Sequence, residues 1–205
     1  TPDASLWRSP AHYDHIDDLT ASDLAWEWLR RNDAYDHDYE AFDDAHVDRQ
    51  ELTGKILSNG GYDFPVDPLR APPDAPVFWL PQHDTSILVL GASPAELGPV
   101  DPPPVIDAAV SVTENNTAYL LFDVGSGQQL QLIHEGLAAT AAIIPLGVDG
   151  FDRLEAVYQL LAALHGRVVP PDTRLTAQQR ARMRRMLQAF DGPRAGATGR
   201  GCATI

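Results

Sequence analysis

Apolar positions recur at helical spacing towards both ends of the chain and fall into short strand-like runs in the middle. In DLAWEWLRRN, residues 23–32, Leu24, Ala25, Trp28 and Leu29 share one arc at about 100° per residue, with Trp26 at its edge beside Arg30. Ser22 stands where an N-cap is needed, Asp23 in the first turn, and Arg30 and Arg31 in the last, which suits the helix dipole. Tyr35, Tyr39 and Phe42 repeat at i, i+4 and i+7 and predict a second helix over 34–43, packed on the first as a hairpin. A third is predicted over 47–57, ended by Ser58-Asn59-Gly60-Gly61. Five prolines between Pro65 and Pro76 then exclude regular structure and mark a domain boundary.

Five strand-like runs follow: Val77 to Leu80, Ile87 to Leu90, Val105 to Val112, Ala118 to Val124 and Gln129 to His134. The last two flank Gly125-Ser126-Gly127-Gln128, and QLQLIH alternates polar with apolar, so they read as a hairpin with one buried face. Prolines 94, 99, 102, 103 and 104 make a long loop between the second and third runs. Helical spacing returns with Phe151, Leu154, Val157, Tyr158, Leu161 and Leu164, with Asp149 as the expected cap and Gly166 as the expected stop. After Pro170-Pro171, Thr176-Ala177-Gln178-Gln179 matches a capping box, and Met183, Met186, Leu187 and Phe190 form the next stripe, ended by Asp191-Gly192-Pro193. The pattern predicts an α+β protein: a helical N-terminal domain over 1–70, a small, largely antiparallel β-rich middle over 75–148, and C-terminal helices over 149–205.

Charge changes this picture more than composition does. The 205 residues are 44% hydrophobic, enough to bury a core, with a formal net charge of −14. Residues 166–205 hold eight of the fifteen basic residues and two of the 29 acids, a formal +6, which leaves −20 on the first 165 residues. Asymmetry of this size points to a partner. Overall acidity excludes general nucleic-acid coating, so only the C-terminal segment is suited to phosphate. The acidic body suits a basic partner or simply keeps the chain soluble. The longest apolar-rich stretch, 137–148, is too short to cross a bilayer, and the N-terminus lacks a secretory pattern, so a cytoplasmic protein with no membrane partner is expected. The single Cys202 fits a reducing compartment and excludes multi-cysteine metal sites.

Catalytic chemistry finds little support. His12, Asp14, His15, Asp17 and Asp18, then Asp36, His37, Asp38 and His46, mix metal-ligating types, but neither the HExxH pairing nor a calcium-loop pattern is present. There is no GxSxG elbow, and the glycine pairs fit turns better than phosphate loops. The expectation is no catalytic residue, no metal, no cofactor and no enzymatic activity. In the arginine-rich segment, guanidinium groups suit bidentate pairing with phosphate, and a helix bearing them opposite an apolar stripe suits a nucleic-acid backbone. The competing reading is a basic helix docked on the acidic body. Trp26 likewise reads as rim packing or as a contact for a partner.

At these residues a resemblance enters. LWRSPAHYDHIDDLTASDLAWEWLRRNDAYDHDYEAF, Leu6 to Phe42, resembles the transcriptional-regulator-like N-terminal domain found in proteobacteria. RLTAQQRARMRRMLQAFDGPRAGAT, Arg174 to Thr198, resembles the variant helix-turn-helix domain that usually follows it. APVFWLP and LHGR, residues 75–81 and 164–167, fit the same pairing. The resemblance implies a DNA-binding regulator of the kind that activates transfer genes of integrative and conjugative elements, single-domain relatives acting as antiactivators. It implies DNA contacts by Arg180, Arg182, Arg184, Arg185 and Arg194. The second expectation is a protein-interaction module that meets a regulator or an RNA polymerase subunit through Trp26, Trp28 and Arg30. After Thr198 the chain reads GRGCATI, where such domains continue into a Tyr-Arg-Glu-Ile-Ala helix and a recognition helix. Thr198 then caps a helix that does not follow. The expectation is a truncated or unshifted form with an incomplete helix-turn-helix domain and weak DNA binding.

Overall fold

The computed structural model describes residues 2–44, 64–72, 74–99, 107–125, 127–136 and 140–196. The predicted helix over 47–57, its glycine stop and the Thr198 cap position lie outside the described residues. The chain divides into two compact units, and the division is not sequential. Unit 1 takes Thr1–Gly60, Pro65–Ala75 and Asp172–Ile205, and unit 2 takes Gly61–Phe64 and Pro76–Pro171. Residues 149–171 thus fall in unit 2 and residues 172–205 in unit 1.

Unit 1 opens with a 3-10 helix, Pro10–Asp18, whose proline occupies the first helical position. Its period of three brings Tyr13 and Ile16 onto one side, where both are fully buried. Helix α1, Ala21–Leu29, is capped by Thr20 and not by Ser22. Thr20 Oγ1 accepts from Asp23 N at 3.2 Å, and Asp23 Oδ2 accepts from Thr20 N at 3.0 Å. That reciprocal pair satisfies two orphan amides, and Ser22 would have had Ala25, with no acceptor, at its own third position. Helix α2, Asp33–Asp44, carries the expected Tyr35, Tyr39 and Phe42 series, with ring centroids 6.4 and 6.2 Å apart.

The segment after Phe64 is irregular as predicted, and it closes this unit. Val66 N donates to Tyr35 Oη at 3.0 Å, and Trp26 Nε1 donates to Arg70 O at 2.9 Å. Helix α4, Ala177–Arg194, completes the core through Leu187, which packs with Tyr13, Ile16, Leu19 and Leu24.

Unit 2 is built on a five-stranded sheet: β1 (Leu88–Gly91), β2 (Val110–Glu114), β3 (Thr117–Gly125), β4 (Gln128–Glu135) and β5 (Ala141–Ile143), in the order β2-β3-β4-β1-β5. Only the β1–β4 pair is parallel, with Val89 opposite Ile133. The β3–β4 hairpin forms as predicted, Gly125 pairing with Gln128. Asn115 and Asn116, with φ of 47° and 68°, make the β2–β3 turn, a two-residue connection that needs left-handed backbone at both positions.

Val77 to Leu80 is a correction. Val77, Phe78 and Trp79 are buried, yet they form none of the five strands. Instead the Gln131 side chain acts as a strand partner, accepting from Trp79 N at 2.8 Å and donating to Trp79 O at 2.9 Å.

Helix α3, Gly150–Leu164, lies against the sheet. It ends in a Schellman motif, with Arg167 N on Ala162 O at 2.7 Å, Gly166 N on Ala163 O at 3.2 Å, and Gly166 at φ 63°. Asp149 holds the cap position without a side-chain bond. Ala156 and Leu160 join Leu88, Leu90, Leu130 and Leu132 in the core, and Arg153 is buried with its guanidinium on Ile87 O and, at 2.7 Å, on Pro81 O. Phe151, Leu154, Tyr158 and Leu161, part of the apolar spacing that predicted the helix, are exposed. The helix is apolar on two sides, and periodicity alone does not choose between them.

Candidate nucleic-acid interface

Helix α4 carries all five arginines expected to contact DNA, and its start is fixed locally. Thr176 Oγ1 accepts from Gln179 N at 3.2 Å while Gln179 Oε1 accepts from Thr176 N at 2.8 Å, the predicted capping box. Its end is not where Asp191-Gly192-Pro193 suggested. Pro193 lies inside the last turn, and Ala195 N still bonds Asp191 O at 3.0 Å, with Gly196 at φ 81° beyond it. A proline this late removes one bond of the ladder and leaves the next intact.

The side of α4 that faces the 3-10 helix holds three of the arginines. Arg180 donates to Leu19 O. Arg184 donates to Pro10 O at 2.7 Å, to Asp17 Oδ2 at 3.0 Å and to Asp14. Arg194 reaches Arg31 O and Asp33. Between them Gln188 Nε2 donates to Trp7 O at 2.7 Å. These arginines fix the helix to its own N-terminal segment, as the docked-helix reading required, and their charge is spent within the chain.

The opposite side is different. Arg182 and Arg185, one turn apart, are exposed and have no partner among the described residues. Arg8 is a further exposed arginine. Arg8 stacks over the ring of Trp7 at 4.5 Å, and Trp7 is buried with its carbonyl held by Gln188, one turn along from Arg185. The signal available was the Trp7-Arg8 pair, a buried aromatic that fixes an exposed guanidinium.

The inward side of α4 also joins a buried ionic network through Asp191. Asp191 accepts from Arg31 Nε at 3.1 Å, and Arg31 also pairs with Glu27, whose Oε1 lies 3.0 Å from Arg30 Nη2 but out of hydrogen-bond alignment. His15 Nε2 stands 3.7 Å from the same carboxylate. Burial alone would raise the Glu27 carboxyl, but the His15 contact and the Arg31 and Arg30 charges outweigh it and hold the pKa down at about 2.

The expected partner-binding residues are mostly inside this unit. Trp26 is 1% exposed and Arg30 7%, so the structure gives both an internal packing role in place of a surface one. The reason is the Pro65–Ala75 segment, whose Pro68 and Arg70 carbonyls accept from Arg30 and Trp26. Trp28 is half-buried, edge-on to Phe190 at 5.7 Å. Among the described residues no group of three or more His, Cys, Asp or Glu side chains could hold a metal ion, and no helix is long and apolar enough to cross a membrane.

Comparison with known families adds two matches. Residues 6–65 match the proteobacterial transcriptional regulator-like domain. Residues 143–205 match the family described as T6SS, transcription factor, DNA binding domain. Compared with curated proteins and with solved structures, the chain shows no match. The first region holds the 3-10 helix, α1 and α2, and the second holds α3, α4 and all five candidate arginines. Together they support a transcriptional regulator with DNA as a partner.

Proposed function

We propose that this chain is a non-enzymatic, cytoplasmic transcriptional regulator of the activator type, acting on conjugative or mobile-element genes. It meets the DNA backbone through the outer face of α4. The observation that carries this reading is the exposed, unengaged pair Arg182 and Arg185 on a helix inside the matched DNA-binding region. Guanidinium groups on one face suit successive phosphates, and such contacts position a protein on a duplex without reading sequence. The mobile-element target rests on the resemblance of residues 6–42 and 174–198. The description of the family matched by residues 143–205 makes T6SS genes the competing target class.

The test is titration of the chain into labelled duplex DNA at several salt concentrations. The expected result is binding that weakens steeply and log-linearly with salt, since each neutralised phosphate releases counterions. Absence of binding at low salt would sink the reading. Promoter occupancy mapped in cells would then separate the two target classes.

A second reading has one observation in its favour. Met186 and Phe190 are about two-fifths exposed beside Trp28, an apolar edge that suits a regulator or polymerase subunit. Salt-insensitive capture of such a partner, without DNA binding, would select it.

A further inference from the structure

Phe151, Leu154, Tyr158 and Leu161 stand at spacings of three, four and three on the side of α3 that faces away from the sheet. They are 75%, 53%, 58% and 49% exposed. The spacing is that of a heptad seam, the arrangement by which one helix packs along another. The opposite side of α3 is already in the core through Ala156 and Leu160. Among the described residues nothing covers the outer seam.

We infer that this seam is a dimer interface, covered by the same helix of a second copy of this chain running antiparallel about a two-fold axis. The seam pattern is self-complementary under that operation. An axis at the level of Ala156 sets Phe151 opposite Leu161 and Leu154 opposite Tyr158, so that every layer pairs an aromatic with a leucine. Parallel pairing would set aromatic on aromatic and leucine on leucine. A closed two-fold contact uses one patch twice, which is what a self-complementary stripe provides.

The area is sufficient. Leu146 and Val148, just ahead of α3, are 104% and 80% exposed. With fully exposed aromatic side chains presenting about 150–250 Å², these six residues offer on the order of 800 Å², the share of one partner in a standard-size interface. The inference stands apart from the DNA-binding reading, and salt separates the two. Each copy carries −14, so screening strengthens an apolar dimer, whereas it weakens phosphate contacts.

Sedimentation of the full chain across a concentration series, at low and high salt, is the test. The expected species has twice the 22.3 kDa chain mass and is favoured by salt. Leu154→Lys combined with Leu161→Lys should give a monomer with unchanged circular dichroism, because both side chains are exposed. In a Cys202→Ser background, Phe151→Cys with Leu161→Cys should oxidise to a covalent dimer. Phe151→Cys alone should not, since antiparallel pairing separates the two thiols by about 15 Å along the axis at 1.5 Å per residue. A monomer at every concentration and salt, or a dimer that survives the lysine pair, overturns the interface. Crosslinking by Phe151→Cys alone overturns the antiparallel arrangement.

Discussion

Tyr13 Oη donates a 2.7 Å hydrogen bond to Asp191 Oδ2, joining a 3-10 helix near the N-terminus to the last turns of α4. Both side chains are buried, and burial followed by the Asp191 bond raises the Tyr13 hydroxyl well above its ordinary pKa. Removing the hydroxyl leaves a buried carboxylate with one donor fewer. Tyr13→Phe should therefore cost about 1–3 kcal/mol. Asp191→Ala also strips the buried Arg31 of a counter-charge and should cost about 3–5 kcal/mol. Urea midpoints of the two variants check the order.

The caps make a second, local prediction. Thr20→Ala breaks a reciprocal box and should destabilise by about 0.5–2 kcal/mol. Ser22→Ala leaves that box intact and removes a 3.4 Å contact from Arg174, so its effect should be smaller. An equal or larger loss for Ser22→Ala, measured by the same unfolding, would return the cap to Ser22.

Features of short sequence range were legible. Thr176 and Gln179 lie three residues apart, and Gly125 and Gly127 sit in a single turn, so pattern and geometry coincide. Ser22 competes with Thr20 for the cap, and the choice turns on which of them has an acid at its third position. Strand β5 is three residues long and offers no alternation to read. Spacing alone does not choose the buried face of α3, because both of its faces are apolar. Arginine as a residue type marked α4 correctly, but type does not give direction. Arg184 is turned inward by Asp14, 170 residues away, and Arg8 stacks on the buried Trp7 ring.

Stability should fall in acid through Glu27. Its carboxyl has a pKa of about 2 in the folded chain against an ordinary 4.5. A depressed folded value contributes stability that is present above the ordinary pKa and lost as pH falls from about 4.5 towards 2, up to about 3 kcal/mol for a fully buried carboxylate. Asp172, lowered by Arg174 against the effect of burial, works in the same direction. Asp23, raised by burial, works in the opposite one, since its protonation favours the folded chain. Glu27→Gln should lower stability at neutral pH and flatten the acid limb of the profile. An acid limb of unchanged steepness in that variant would show that Glu27 does not govern it.

The two faces of α4 should separate in their response to mutation. Arg182→Ala and Arg185→Ala remove exposed guanidinium groups without a protein partner among the described residues, so stability should change by under about 0.5 kcal/mol. Each should weaken DNA binding alike on all sequences and lower the log-log salt slope by about one. Arg184→Ala removes contacts to Pro10, Asp14 and Asp17 and should act first on stability. Its guanidinium is four-fifths buried against partly exposed acids, which limits the loss to about 1 kcal/mol. Anisotropy titrations at four salt concentrations, read beside urea midpoints, give both quantities for each variant. A salt slope lowered by Arg184→Ala and untouched by Arg182→Ala and Arg185→Ala would reverse the assignment of the two faces.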